Sequence, residues 1–345
     1  MKKSKYIVLF SSLILLLGTQ MSCSDSYLEE KPMDKFSPEN LLTSKKGFET
    51  VIYSLHNFAR SGLFQSNNED VMNTGTDVAC SGVTDGRFFN DYSLILPEHA
   101  TPKFYWNWAY QKMLKDANLI ITRAENPNVS WTEDEKNTIV AEAKFFRAYT
   151  YNILVNLFGG VPIVDKEELS PRFDYTRASR KEVLEFIQKD LEFAAQYLPI
   201  VTSDASQDGR IFRAAANHLL SEVYISLGQE TGDQLFYDKS IAAATAVIDG
   251  SCGEYALVKS RFGDTSRPGD YYSDLFWTNQ QNRASDNKEG IWVVQFEYLI
   301  PGAEEANNAQ LRLWGPKIDD VTYPDGKQIL VCDTVGRMQG IIRPL

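Results

Sequence analysis

The stretch AEAKFFRAYTYNILVNLFGGVPIV, from Ala141 to Val164, restricts the fold of this chain more than any other. Phe146, Tyr149, Ile153 and Leu157 continue the three-to-four spacing begun by Ile139 and Ala143, which predicts an amphipathic helix. That helix must then stop at once. Gly159-Gly160 can take the positive φ that terminates a helix, and Pro162 forbids its continuation. At the other end, Thr132 stands three residues before Glu135, a capping-box pattern. A long helix with such hard ends needs a neighbour that turns straight back onto it.

Further helices are predicted by the same spacing. Lys45–Arg60 carries Phe48, Ile52, Leu55 and Phe58, with Gly62 as its stop. Tyr105–Glu125 carries Trp108, Leu114, Ala117, Leu119 and Ile121, and Pro127 ends it. Ser179–Leu198 has the stripe Val183, Ile187, Leu191, Ala194 and Leu198. Ile211–Leu227 has Ala216, Leu219, Leu220, Val223, Tyr224 and Leu227, stopped by Gly228. Tyr237–Ile248 has Tyr237, Ile241, Ala244 and Ile248, stopped by Gly250. Ser179 and Asp233 are capping residues by type. The pattern Ala-x2-Leu-Leu-x2-Val-Tyr-x2-Leu-Gly followed by Tyr-x6-Ala resembles a tetratricopeptide (TPR) unit, a helix pair of about 34 residues that buries its stripe on the next pair. On this reading Phe145, Phe146, Tyr149 and Tyr151 are packing residues, and so are Trp106 and Trp108, which share a helical period with Tyr110.

The expected fold is mainly α: a TPR-like helix-pair scaffold with a loop-rich irregular region and few short strands. Helices occupy about 45–60, 105–125 and 133–250. Residues 65–103 and 251–345 are rich in loops, with Ile291–Phe296 as a short buried strand. A loop as long as 65–103 inside a compact domain is functional or disordered.

At the N-terminus, Lys2, Lys3 and Lys5 precede the apolar run Tyr6–Leu17. The run is too short to span a bilayer, which takes about 20 residues, and reads as an export signal. Ser22-Cys23 just beyond it resembles a bacterial lipoprotein cleavage site, although Gln20 and Met21 are atypical there. Residues 1–22 would be a lipoprotein signal peptide, Cys23 the acylated first residue, and 23–345 one domain. Ordinary secretion with Cys23 as a bystander is the alternative. Cys80, Cys252 and Cys332 show neither a disulfide framework nor a CxxC metal site and are expected as small buried hydrophobes.

The sequence carries no recognisable catalytic constellation. Glu29/Glu30, Glu167/Glu168, Glu304/Glu305 and Asp319/Asp320 are adjacent pairs, whereas a glycosidase needs two carboxylates facing each other across a cleft. His56, His99 and His218 are scattered, with no HExxH. Nucleophile-elbow, Walker and Rossmann patterns are absent, so no cofactor is implied. Asp264, Asp270 and Asp274 lack an EF-hand register. The formal charge of −11 comes from interspersed acids and bases with no Lys/Arg stripe, which argues against a nucleic-acid partner.

Several stretches together resemble the SusD/RagB family of nutrient-binding outer-membrane lipoproteins. They are Tyr27-Leu28-Glu29-Glu30-Lys31-Pro32 after the acylated start, Trp108-x-Tyr110 with Ala117-Asn118, Phe146-Arg147-Ala148-x-Tyr-x5-Asn-Leu-Phe-Gly-Gly-Val-Pro, and Asn287-Lys288-Glu289-Gly290-Ile291. The resemblance covers nearly the whole chain beyond residue 22. Family members usually continue for well over a hundred further residues, so a shortened C-terminal part is expected here. The resemblance implies no enzymatic activity. It implies capture of an oligosaccharide or polysaccharide, or sometimes a peptide, and delivery to a SusC-like TonB-dependent transporter, with a lipid anchor in the outer membrane. It places ligand contacts in two segments. The first holds Asp77, Arg87, Phe88, Phe89, Asn90 and Tyr92; the second holds Tyr298, Asn308, Arg312 and Trp314. Both mix flat aromatic faces with planar polar groups, which suits sugar rings and their hydroxyls. Tyr271, Tyr272 and Trp277 either pack beneath that surface or face the transporter. The alternative function is a TPR-type peptide-binding adaptor lipoprotein.

Overall fold

The computed structural model describes residues 37–64, 76, 79–81, 91, 93, 96–98, 100–277, 279–296, 322–327 and 342–344. The chain divides into two units, Met1–Leu41 and Leu42–Leu345. In the first, the described residues form one short helix, α1 (Pro38–Leu41). The second contains α2 (Lys45–Ala59), α3 (Ala100–Trp108), α4 (Leu114–Arg123), α5 (Glu133–Phe158), α6 (Arg180–Tyr197), α7 (Arg213–Thr231), α8 (Gln234–Ile248) and the single turn α9 (Tyr271–Asp274). Strand β1 (Ala79–Ser81) pairs antiparallel with β2 (Ile342–Pro344), in the register Cys80 to Arg343.

Consecutive helices pack on one another: α5 on α6, α6 on α7, α7 on α8, with α2 and α4 against α5. This is the expected scaffold of TPR-like pairs. The expected capping box of Thr132 with Glu135 forms, the expected cap Ser179 forms a second box with Glu182, and Asp233 caps α8. The expected one-sided stripe on α5 is wrong, however. From Ile139 to Val155 this helix is buried almost all round, including Val140, Phe145, Ala148 and Leu154, because it has α2 and α4 on one side and α6 on the other.

The double glycine has two separate reasons. Gly159 ends α5 at φ 71° and ψ −134°, a region closed to residues with a Cβ. At Gly160 a Cβ would lie 2.0 Å from the Ala178 carbonyl oxygen. Arg177 covers the end of the helix, donating to the Phe158 and Gly160 carbonyls at 2.6 and 2.7 Å. The extended Val161–Asp165 run is then held from below. Tyr110 Oη donates to the Pro162 carbonyl (2.6 Å), Tyr151 Oη accepts from the Val164 N–H (2.7 Å), and Asn118 Nδ2 donates to the Val164 carbonyl (2.8 Å). Arg147, 3% exposed, donates to Asp190 through Nε (2.6 Å) and Nη2 (2.8 Å), and through Nη1 to Asn118 Oδ1 (2.8 Å) and the Asp165 carbonyl (2.7 Å). Lys144 adds a third cationic donor to Asp190 at 2.7 Å. The Phe-Arg-Ala-x-Tyr motif is therefore a buried clamp on the returning chain.

Two expected helix stops and one expected start are displaced. Gly62 lies inside a π-helical extension of α2, Arg60–Phe64, where a Cβ would meet the Trp108 ring at 2.4 Å. A second π-helical stretch, Ala109–Met113, joins α3 to α4, so that helix starts at Ala100 rather than Tyr105. Gly228 does not stop α7. It lets the Tyr237 ring approach, and α7 ends at Gly232 in the left-handed region. On α8 the buried face is Ser240, Ala243 and Val247 rather than the expected stripe, with Ile241 and Ile248 exposed. The small residues let α8 sit close on α7, where Ser240 Oγ donates to the Ser221 carbonyl.

Ile291–Phe296 is irregular and mostly half-buried, not a strand. Side chains anchor it instead of a ladder. Cys252 is buried as expected, against Ala214 and Val247, and burial raises its thiol pKa. Trp106 stacks on Tyr110, and buried Trp108 donates to the Phe58 carbonyl at 2.9 Å, so both pack in the scaffold. Tyr271 and Tyr272 are exposed, while Trp277 lies under the Arg267 guanidinium. The acids of that loop serve it internally: Asp274 pairs with Arg261, Asp270 caps α9, and Asp264 binds Ser266.

Candidate functional site

The end of α2 builds a cavity. Its Phe48, Ile52 and Leu55 are fully buried, and a different face carries Tyr53, Asn57 and Arg60, four and three residues apart. These line a cavity of about 460 Å³ together with Asp208–Arg210 and with Trp292, Val294 and Gln295.

The back of the cavity is an ionic cluster. Glu142, 1% exposed, accepts from Arg210 Nε (3.1 Å to each oxygen) and Nη2 (2.5 Å), and pairs with His56 Nε2 at 2.7 Å. Burial alone would push the Glu142 carboxyl up. The hydrogen bond with His56 and the charge of Arg210 outweigh it and hold the pKa at about 2. Burial disfavours the Arg210 charge, yet Glu142 more than restores it and raises its pKa. The guanidinium also lies over the Tyr53 ring, 5.5 Å from its centre.

The remaining walls come from loops. Trp292 Nε1 donates to the Gly209 carbonyl (3.2 Å), and its ring meets Phe145, Phe146 and Tyr149 edge-on at 5.6–6.0 Å. Gln295 and Asn282 exchange side-chain hydrogen bonds at 3.0 and 2.9 Å. Gly209, at φ 81°, admits the Gln295 side chain where a Cβ would stand 2.6 Å away. Arg60 donates to Asn57 Oδ1 (2.7 Å) and lies over Phe296. Burial raises the Asp208 carboxyl pKa, against hydrogen bonds from Asn282 and the Ala284 N–H.

Glu142 makes this site acid-sensitive. Its pKa falls from 4.5 to about 2 on folding, so as pH drops the unfolded chain takes up the proton first. The stabilisation is complete above about pH 4.5 and is lost as pH falls toward 2, at a slope of up to about 1.4 kcal/mol per pH unit. Urea unfolding between pH 5 and 3 (with its steps set by the assay) should show this slope, and Glu142→Gln should flatten it. An unchanged slope in the variant would place the acid sensitivity elsewhere.

All ten sequence-predicted ligand residues, Asp77, Arg87, Phe88, Phe89, Asn90, Tyr92, Tyr298, Asn308, Arg312 and Trp314, lie outside the described residues, as does Cys23. Thr76 and Asp91 are exposed at the edges of the first segment. The second lies beyond Phe296 in the sequence, and Gln295 just before it lines the cavity. Sequence reasoning missed the cavity residues. The spacing of Tyr53, Asn57 and Arg60 was a readable signal, but the pairing of His56 with Glu142, 86 residues apart, had none.

Among the described residues no three His, Cys, Asp or Glu side chains group as a metal site, and no helix is long and apolar enough to cross a membrane. The fold and cavity define a helical-repeat scaffold presenting a ring-lined recess with polar and charged groups at its walls. Residues 26–225 match a SusD-like family described as starch-binding and associating with the outer membrane. The chain belongs to this family. SusD-like protein P2 of Formosa agariphila is 27% identical over 305 residues, covering 85% of this chain and 53% of that protein. A SusD-like protein of Bacteroides ovatus is 26% identical over 229 residues, 65% of this chain and 39% of that one. The chain spans about half the length of the curated relatives it matches. Among solved structures, a SusD homolog from Bacteroides thetaiotaomicron superposes with a TM-score of 0.69 at 18% identity, covering 89% of this chain and 55% of that one. A structure solved with xylogluco-oligosaccharide gives a TM-score of 0.61 at 19% identity, covering 77% and 49%.

Proposed function

We propose that this protein captures oligosaccharides at a bacterial cell surface and hands them to a SusC-like TonB-dependent outer-membrane transporter, without catalysing a reaction on them. The observation that carries this reading is the family match across residues 26–225. It is supported by the export-signal pattern ending at Cys23, the proposed lipid anchor in the outer membrane. It is further supported by the packed helical scaffold of TPR-like pairs that the chain shares with SusD-like folds. The first segment contributes Asp77, Arg87, Phe88, Phe89, Asn90 and Tyr92, and the second Tyr298, Asn308, Arg312 and Trp314. Their rings stack on sugar faces, and their amide, carboxylate and guanidinium groups bind hydroxyls.

Titration of the chain against a polysaccharide panel that includes soluble starch and xyloglucan tests this. At least one glycan should bind with no release of reducing ends. Phe88→Ala and Trp314→Ala should each weaken binding about tenfold, ~1.4 kcal/mol. Binding of no glycan, or unchanged affinity in both variants, would refute respectively the function or the site.

A further inference from the structure

The cavity at the end of α2 has properties that a surface platform does not need. One wall is His56 and Arg210, both fastened to the buried Glu142. Its volume of about 460 Å³ is near the small end of the ~300–1,000 Å³ typical of small-ligand pockets. That is room for one or two sugar rings and not for an extended run.

Its charges are also settled internally. Arg210 spends its contacts on Glu142 and on the Tyr53 ring, and Arg60 donates to Asn57 Oδ1. The guanidinium groups are thus engaged with the protein's own acceptors. The half-buried Asp208 carboxylate accepts from Asn282 and the Ala284 N–H and has lone pairs left for a hydroxyl. Asn57 spends its oxygen on Arg60, which leaves its amide N–H pair to donate. An acceptor and a donor beside the rings of Tyr53 and Trp292 match a neutral sugar, which presents hydroxyls and one apolar face.

We propose that this cavity is a terminal-residue subsite, taking the neutral sugar ring at the end of a glycan chain or of a short branch. The inference rests on the glycan-binding reading and deepens it: the protein would select chain ends or branches rather than the interior of a polymer.

Ligand-observed saturation-transfer NMR on the full chain tests it. The probes are the methyl glycosides of glucose, galactose, mannose, xylose, arabinose and fucose, with methyl glucuronide as the charged comparison. At least one neutral glycoside should give a signal at millimolar concentration. Asp208→Asn, which preserves shape, and Asn57→Ala should each weaken that glycoside about tenfold, with circular dichroism matching the parent. No neutral signal, a signal from the glucuronide alone, or equal signal in both variants would overturn the proposal. Retention of the parent protein on the polysaccharide panel is read separately. Retention without any glycoside signal would sink the subsite and leave glycan capture standing, whereas loss of retention would sink glycan capture itself.

Discussion

Replacing Arg147 by methionine should cost about 3–5 kcal/mol, the usual penalty for breaking a buried ion pair from one side. In thermal unfolding this corresponds to a fall in midpoint on the order of 10 °C. Methionine fills much of the same volume, so the loss reports charge and hydrogen bonding more than a cavity. Asp190, 2% exposed, would keep only Lys144 as a cationic partner, and two further acceptors, Asn118 Oδ1 and the Asp165 carbonyl, would lose their donor. The Phe186 ring would also lose the guanidinium that lies 4.9 Å from its centre. Combining Arg147→Met with Asp190→Asn should cost less than the sum of the single changes, because the second substitution removes the charge the first one strands. Strict additivity, or an unchanged midpoint in Arg147→Met, would mean that the clamp is not what holds the returning chain.

Trp292→Ala is expected to cost about 3–5 kcal/mol, as for truncation of a well-packed aromatic. Its main effect should be local. The indole fills the space between α2 and α5, meeting His56 and Phe64 as well as the three aromatics of α5, and its N–H holds the Gly209 carbonyl. Among the described residues no ladder hydrogen bonds hold Ile291–Phe296, and the ring joins it to both helices. Amide hydrogen exchange at residues 291–296 should accelerate strongly while the α6–α7–α8 stack keeps its protection. Trp292→Phe keeps most ring contacts, loses one hydrogen bond, and should cost about 1 kcal/mol. Equal protection of 291–296 in the alanine variant would show that the segment is secured some other way.

These two residues mark what a sequence does and does not reveal. The helices were legible because their stripes and caps are local: Thr132 with Glu135, Ser179 as a cap, and the stripe from Val183 to Leu198 all stand as read. The errors arose where a residue answers to a distant neighbour. Gly62 and Gly228 read as helix stops, but each is small because a ring, Trp108 or Tyr237, lies against it. The α8 stripe was misplaced because close packing on α7 favours Ser240 and Ala243 over bulkier isoleucines. Ile291–Phe296 has a strand's composition, and only its surroundings reveal that rings and amides hold it. The cavity draws on three regions far apart in the chain, so no local pattern announces it. The two ring-bearing segments were read by resemblance and composition, and their residues stand as proposals.

The clamp around Val161–Asp165 seizes peptide groups and not side chains. Tyr110, Tyr151, Asn118 and Arg147 reach the carbonyls or amides of Pro162, Val164 and Asp165. Much of what those positions supply is supplied by any residue with an ordinary backbone. Neutral drift can therefore rewrite several of these side chains without dismantling the joint, provided the gripping residues persist. An architecture fastened this way can outlast most of its own spelling, and superposition at 18% identity is what such fastening permits.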